Sequence, residues 1–246
     1  WEFRSRPAWQ RFFVMFGGVF FNFLLAILIY SATLFTWGQE YLKNENAIYG
    51  VQCSDLALEI GFRHGDRVIS VEGSPVDRFQ DIQLDIARNQ AENVMVLRGG
   101  DTVAISIDSK YIPAILNTPG MFGIRIPFEV LTVPDSSLNK GLLLPGDKIV
   151  EVDSVKLFVA QDIQELLKTR ASDSVKVTID RGGVLLTETL RTDSLGRLGV
   201  FLNSDIHKFF NITKIDYSIL SALPAGASKT ISTLTNYVKE LGLIFS

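Results

Sequence analysis

Between Phe12 and Trp37 the chain runs for 26 residues without a charge. As an α-helix that run is about 39 Å long, against a hydrocarbon core of about 30 Å. A signal-peptide core is shorter, about 7–15 residues, and no small-x-small cleavage site follows closely. A helix inside a soluble protein rarely stays uncharged over such a length. The run therefore predicts a helix that crosses a membrane with some tilt. Arg4, Arg6 and Arg11 precede it, and Glu40, Lys43 and Glu45 follow. The positive-inside rule places the amino end in the cytoplasm and the chain after residue 40 on the other side. Asn22 is costly against lipid, so it is expected to face another helix or a cavity. Gly17 and Gly18 beside it would allow close helix packing.

After residue 40 the chain says one thing twice. With an offset of 81, Gly65-Asp66 meets Gly146-Asp147, Val68 and Val71 meet Ile149 and Val152, and Asp81-Ile82-Gln83 meets Asp162-Ile163-Gln164. Val94 and Val96 meet Val175 and Val177. The register then shifts, and Arg98-Gly-Gly meets Arg181-Gly-Gly, before Phe122-Gly123-Ile124 echoes Leu198-Gly199-Val200. This is the pattern of two copies of a module of about 80 residues. In each, Gly-Asp predicts a tight turn with the Asp tied to backbone N–H groups. A short buried strand follows, then a helix over residues 78–89 or 160–170, then a hairpin with period two. Asp77 with Gln80 resembles a capping box in the first copy only.

The charge is −3 with 47% hydrophobic residues and no basic cluster beyond the first arginines, which argues against nucleic acid as a partner. The single Cys53 excludes an internal disulfide and a Cys-rich metal site. His64 is expected as a solvated turn residue and His207 as part of a connector; neither stands at triad spacing to a Ser and an Asp. The chain opens on Trp1 and ends on LGLIFS, inside an apolar run, so it reads as an internal segment of a longer protein.

The order small residue, Gly-Asp-x-aliphatic-x-x-Val, helix, hairpin and aliphatic-Gly-aliphatic resembles a bacterial, circularly permuted PDZ domain. Two such modules after WQRFFVMFGGVFFNFLLA resemble the site-2 protease family of intramembrane zinc metalloproteases, in its regulator-of-sigma-E branch. Arg11, Gly18, Asn22 and Phe23 match the family stretch, with Val19 in place of its Pro. The implied fold class is α+β: a membrane helix (1–40), two PDZ-like modules (45–127 and 128–206), and a juxtamembrane amphipathic helix (207–246) leading to a further span. For that last segment, the stripe Ile231, Leu234, Val238, Leu241 and Phe245 has helical spacing, and Pro224-Ala-Gly226 marks a start or a kink.

The resemblance implies zinc as cofactor in the whole protein, bound by a His-Glu-x-x-His helix and a later Asp. Neither motif is in this chain, so no catalytic or metal residue is carried over. It also implies peptide grooves between a strand and the main helix, with Phe122, Gly123, Ile124, Ile82 and Ile86 in the first module and Leu198, Gly199, Val200, Ile163 and Leu167 in the second. The expected partners are membrane lipid and single-span membrane proteins of the anti-sigma-factor type or their peptide tails. The expected place is the bacterial inner membrane, with the modules on the periplasmic side filtering substrates. The other reading is a membrane-anchored tandem PDZ adaptor without catalysis.

Overall fold

The computed structural model describes residues 7–244, with side chains described to residue 235 and at Tyr237. Arg4, Arg6 and Phe245 lie outside the described residues, as do the side chains of Val238 and Leu241. The chain opens with α1 (Ala8–Trp37), β1 (Gln39–Leu42), β2 (Val51–Cys53), α2 (Asp55–Ile60), β3 (Arg67–Val71) and β4 (Ser74–Pro75). Next come α3 (Ile82–Arg88), β5 (Asn93–Arg98), β6 (Asp101–Ser106), α4 (Ile112–Asn117), β7 (Phe122–Ile124) and β8 (Val130–Thr132). The second half holds β9 (Lys148–Val152), β10 (Val155–Lys156), α5 (Ala160–Lys168), β11 (Ser174–Arg181) and β12 (Val184–Arg191). It closes with β13 (Phe201–Leu202), α6 (Ile206–Phe209), β14 (Ile212–Ile215) and α7 (Ile219–Ile244). Residues to Tyr41 and from Thr213 form one compact unit, and Leu42–Ile212 form another.

In the first unit, α1 is long and apolar enough to cross a membrane, with a mean hydropathy of 2.5 over its most apolar window. Its Ser and Thr hydroxyl groups are satisfied internally, as an apolar surrounding requires. Ser31, Thr33 and Thr36 donate to the carbonyls of Ile27, Ile29 and Ala32 at 2.7, 2.8 and 2.8 Å. A Cβ on Gly17 or Gly18 would meet nothing within 4 Å, and Asn22 is exposed. The tight crossing lies where α7 packs on α1: a Cβ on Gly226 would meet the Ser31 backbone nitrogen at 2.7 Å. Ala222 and Thr230, one turn to either side of Gly226, are buried. Pro224 lies inside α7, which begins before it at Ile219.

The second unit contains the duplication in three dimensions. One sheet has the order β4-β3-β5-β6 and the other β10-β9-β11-β12. Both hairpins turn on two glycines at positive φ, Gly99-Gly100 and Gly182-Gly183. The cores coincide position by position. Val71 and Val152, Ile82 and Ile163, Ile86 and Leu167, Val94 and Val175, and Val96 and Val177 are all at most 1% exposed. A short antiparallel pair closes each module, β2 with β7 and β8 with β13.

The turn aspartates do more than bond to backbone. Asp66 accepts the Arg63 N–H at 2.8 Å and is gripped by Arg98 through Nε at 2.8 Å and Nη2 at 2.7 Å. Asp147 accepts the Leu144 N–H at 2.8 Å and is gripped by Arg181 at the same two distances, 2.8 and 2.7 Å. Each arginine also donates to a loop carbonyl, Gly61 or Leu142. The two clamps thus tie hairpin to turn in the same way. The capping box expected from Asp77 and Gln80 does not form. A 3-10 turn over Phe79–Asp81 precedes α3, and neither element has a side-chain cap.

The modules share a built junction. Ala160 N–H donates to the Ile126 carbonyl at 2.8 Å and Phe128 N–H to that of Phe158 at 2.8 Å. The Gln161 amide donates to the Ile124 carbonyl at 3.0 Å. Arg125, with a side chain only 7% exposed, pairs with Asp162 and donates to the Tyr49 carbonyl at 3.3 Å. Removing one partner of such a pair leaves the other desolvated and uncompensated. Arg125→Met should therefore cost about 2 kcal/mol, on the low side of a buried pair because Asp162 keeps some contact with water. Urea unfolding followed by module-resolved hydrogen exchange should then separate the two modules into distinct transitions.

Candidate peptide-binding groove

Beside β13 the second module opens into a groove of about 880 Å³. Its floor and walls are apolar, with Phe128, Leu138, Leu167, Leu195 and Leu198 among the lining residues and Gln164 facing in from α5. Lys168 and Arg197 stand among the same lining residues. Leu138 and Leu195, both in this lining, are 61% and 60% exposed.

The loop at one end is held open by polar side chains. Asp193 accepts the N–H groups of Leu195 and Arg197 at 2.8 Å each, and Arg197 Nε at 2.9 Å. Those backbone and side-chain bonds hold the Asp193 carboxyl below its usual range. Gly196 takes φ +73°, and a Cβ there would lie 2.3 Å from the Leu167 carbonyl oxygen, so the loop needs glycine to seat against the end of α5. Buried Asn139 donates to the Arg191 and Leu198 carbonyls at 2.8 and 2.9 Å, and accepts from Arg191 N–H at 2.8 Å. Among the described residues, no group accepts from the backbone N–H of Leu198, Gly199 or Val200. Free N–H groups over an apolar floor are what an extended peptide or its terminal carboxylate requires.

The residues expected from the sequence are placed as follows. Leu198, Gly199, Val200 and Leu167 line this groove. Ile163 is fully buried in the core beneath it, as are Ile82 and Ile86 in the first module. Phe122, Gly123 and Ile124 form β7, half-buried and paired with β2. The two aliphatic-Gly-aliphatic stretches therefore do not fold alike: the first is a strand, while in the second Gly199 takes φ +69° and the strand starts at Phe201. Sequence reasoning missed Asp193, Asn139 and Gln164. Asp193 ahead of Gly196 was a visible turn signal; Asn139 carried no local pattern at all.

The described residues contain no cluster of three His, Cys, Asp or Glu side chains able to hold a metal ion. His64 is half-buried rather than solvated, because its Nδ1 accepts from the Cys53 N–H at 3.1 Å. Burial, with the Asp66 charge adding to it, pushes the Cys53 thiol up to about 12, so it stays protonated. His207 lies in α6, where Asp205 accepts from its backbone N–H at 3.0 Å.

Comparison with known proteins places the whole. Residues 1–246 match the sequence pattern of Peptidase family M50. The chain belongs to Peptidase family M50. A Neisseria meningitidis protein assigned as a zinc metalloprotease is 27% identical over 99% of this chain and 58% of its own length. One from Brucella suis, similarly assigned, is 31% identical over 53% of this chain and 34% of its own. The metalloprotease MmpA of Caulobacter vibrioides is 30% identical over 45% of this chain and 28% of its own. The chain thus spans about three-fifths or less of the length of these relatives. Among solved structures, PDZ domains of SdrC-like proteins from Listeria innocua and Listeria monocytogenes each cover 33% of the chain. They cover 99% and 92% of their own lengths, with 20% and 24% identity and TM-scores of 0.29.

Proposed function

We propose that this M50 chain is the substrate-gating part of a membrane-embedded zinc protease of the regulator-of-sigma-E type, which cleaves single-span membrane proteins. In this reading α1 crosses the bacterial inner membrane. The two modules are circularly permuted PDZ-like domains on the periplasmic side. They admit a substrate by capturing an extended segment of it. Zinc belongs to the whole enzyme; the described residues offer it no ligand set, and their part is to bind, orient and exclude.

The open groove of the second module carries this reading. It pairs an apolar floor with backbone N–H groups that lack acceptors. A strand of substrate can add beside β13, send one aliphatic side chain toward Leu167 and Leu198, and present a carboxylate to the loop at Gly199. The buried junction through Arg125 and Asp162 supports a filter that acts by shape, since it fixes one module against the other.

The test is fluorescence anisotropy with a short fluorescein-labelled peptide ending Val-Ala-Val and carrying a free carboxylate. Leu195→Asp places a charge in the groove at an exposed position, where it should not threaten the core. It is expected to weaken binding about tenfold or more, equivalent to about 1.4 kcal/mol. Equal binding by the two proteins would remove the groove from the account.

A further inference from the structure

Gln83 and Gln164 occupy the same place on the main helix of each module, 81 residues apart, yet their surroundings differ. Gln164 is exposed and faces the open groove. Gln83 is half-buried, and its side chain is fully engaged. Nε2 donates to the carbonyls of Ile115 and Thr118 at 2.7 and 2.6 Å, and Oε1 accepts from the Met121 N–H at 3.0 Å. All three partners belong to the segment that leads into β7.

The cause is a difference in chain length between two otherwise matching modules. From the end of β6 to the start of β7 the first module spends residues 107–121, long enough for a 3-10 turn and α4. From the end of β12 to the start of β13 the second spends residues 192–200, and they form only the loop held by Asp193. The extra residues fold back onto α3. Ile115 is fully buried in the first module's core and Ile112 nearly so.

We infer that the first module is closed to peptides by its own α4, latched across the groove position by Gln83, so that the second module alone captures the extended segment. The inference rests on the peptide-binding reading above for the second module. The latch stands on its own geometry. The Gln83 amide oxygen accepts the backbone N–H of Met121, just ahead of β7. Its amide nitrogen pins the end of α4 to α3. The pair of modules is then one receptor and one closed wall. The occupant of the open site is an apolar extended peptide, and the occupant of the closed site is residues 112–118 of this chain.

Two measurements on the full chain in detergent micelles test this. The first is hydrogen exchange of wild type, Gln83→Ala and Gln164→Ala. Gln83→Ala should speed exchange at the Met121 and Thr118 amides at least about tenfold with sheet amides unchanged, and Gln164→Ala should leave both amides as they are. Unchanged Met121 and Thr118 exchange in Gln83→Ala overturns the latch. The second is photo-crosslinking with a diazirine-bearing version of the Val-Ala-Val peptide, mapped by mass spectrometry. Wild type should crosslink at Leu138 and residues 195–202, with none at 112–124, and Gln83→Ala should add crosslinks at 112–124. Wild-type crosslinks at 112–124 overturn the inference. Crosslinks at neither module in wild type, with fast exchange in Gln83→Ala, overturn the assignment of capture to the second module through failure of the peptide-binding reading.

Discussion

Arg181→Met should destabilise the second module by about 3 kcal/mol and leave the first as it was. Asp147 is completely buried, and Arg181 supplies two of the hydrogen bonds its carboxylate receives. Without the guanidinium, one N–H from Leu144 remains for a desolvated charge. The cost sits at the lower end for a broken buried pair because the Arg181 side chain is itself 32% exposed. Arg98→Met should do the same to the first module through Asp66, so the two variants form matched controls. Module-resolved hydrogen exchange in urea reads both.

The same clamp sets a pH dependence. Burial pushes the Asp147 carboxyl up, but the Arg181 hydrogen bonds and charge and the Leu144 N–H outweigh it and hold it below its ordinary value. A depressed carboxyl contributes stability that is fully present above its unfolded value, about 3.9, and is lost as the pH falls through the folded one. The wild-type second module should therefore weaken on acidification below about pH 4. In Arg181→Met burial is left to dominate, and the Asp147 carboxyl rises. The penalty of the substitution should then shrink between pH 7 and pH 4. A penalty independent of pH would mean that packing, rather than charge, is what Arg181 supplies.

The parts of the fold that depend on repeated local pattern were legible in the residues. Ile82 and Ile163, or Val94 and Val175, recur because each buried position of one sheet or helix must be filled again in the other copy. The uncharged run became α1 because nothing but a helix satisfies so many backbone groups without water. What the residues hid are choices made between distant segments. Arg98-Gly-Gly and Arg181-Gly-Gly were visible as hairpin turns, while their second duty toward Asp66 and Asp147 depends on a sheet that closes over the earlier turn. Gln83 and Gln164 are the same letter in the same place, and only the longer stretch before β7 gives them different fates. The close approach of α7 to α1 runs through Gly226 against Ser31, two residues that no local pattern ties together in the sequence. The groove was only half legible. Leu198, Gly199, Val200 and Leu167 line it, whereas the loop that holds it open depends on Asp193 and on the close seat of Gly196 against Leu167.

If the groove beside β13 governs which substrates reach a membrane zinc protease, its loss must show in cleavage of a single-span membrane reporter by the full-length protein in native membranes, wild type against Leu195→Asp. Chelation should stop cleavage by wild type. Leu195→Asp should lower kcat/KM at least about tenfold, with the protein still inserted and folded. Cleavage that survives chelation, or a Leu195→Asp enzyme that works at the full wild-type rate, would contradict this reading.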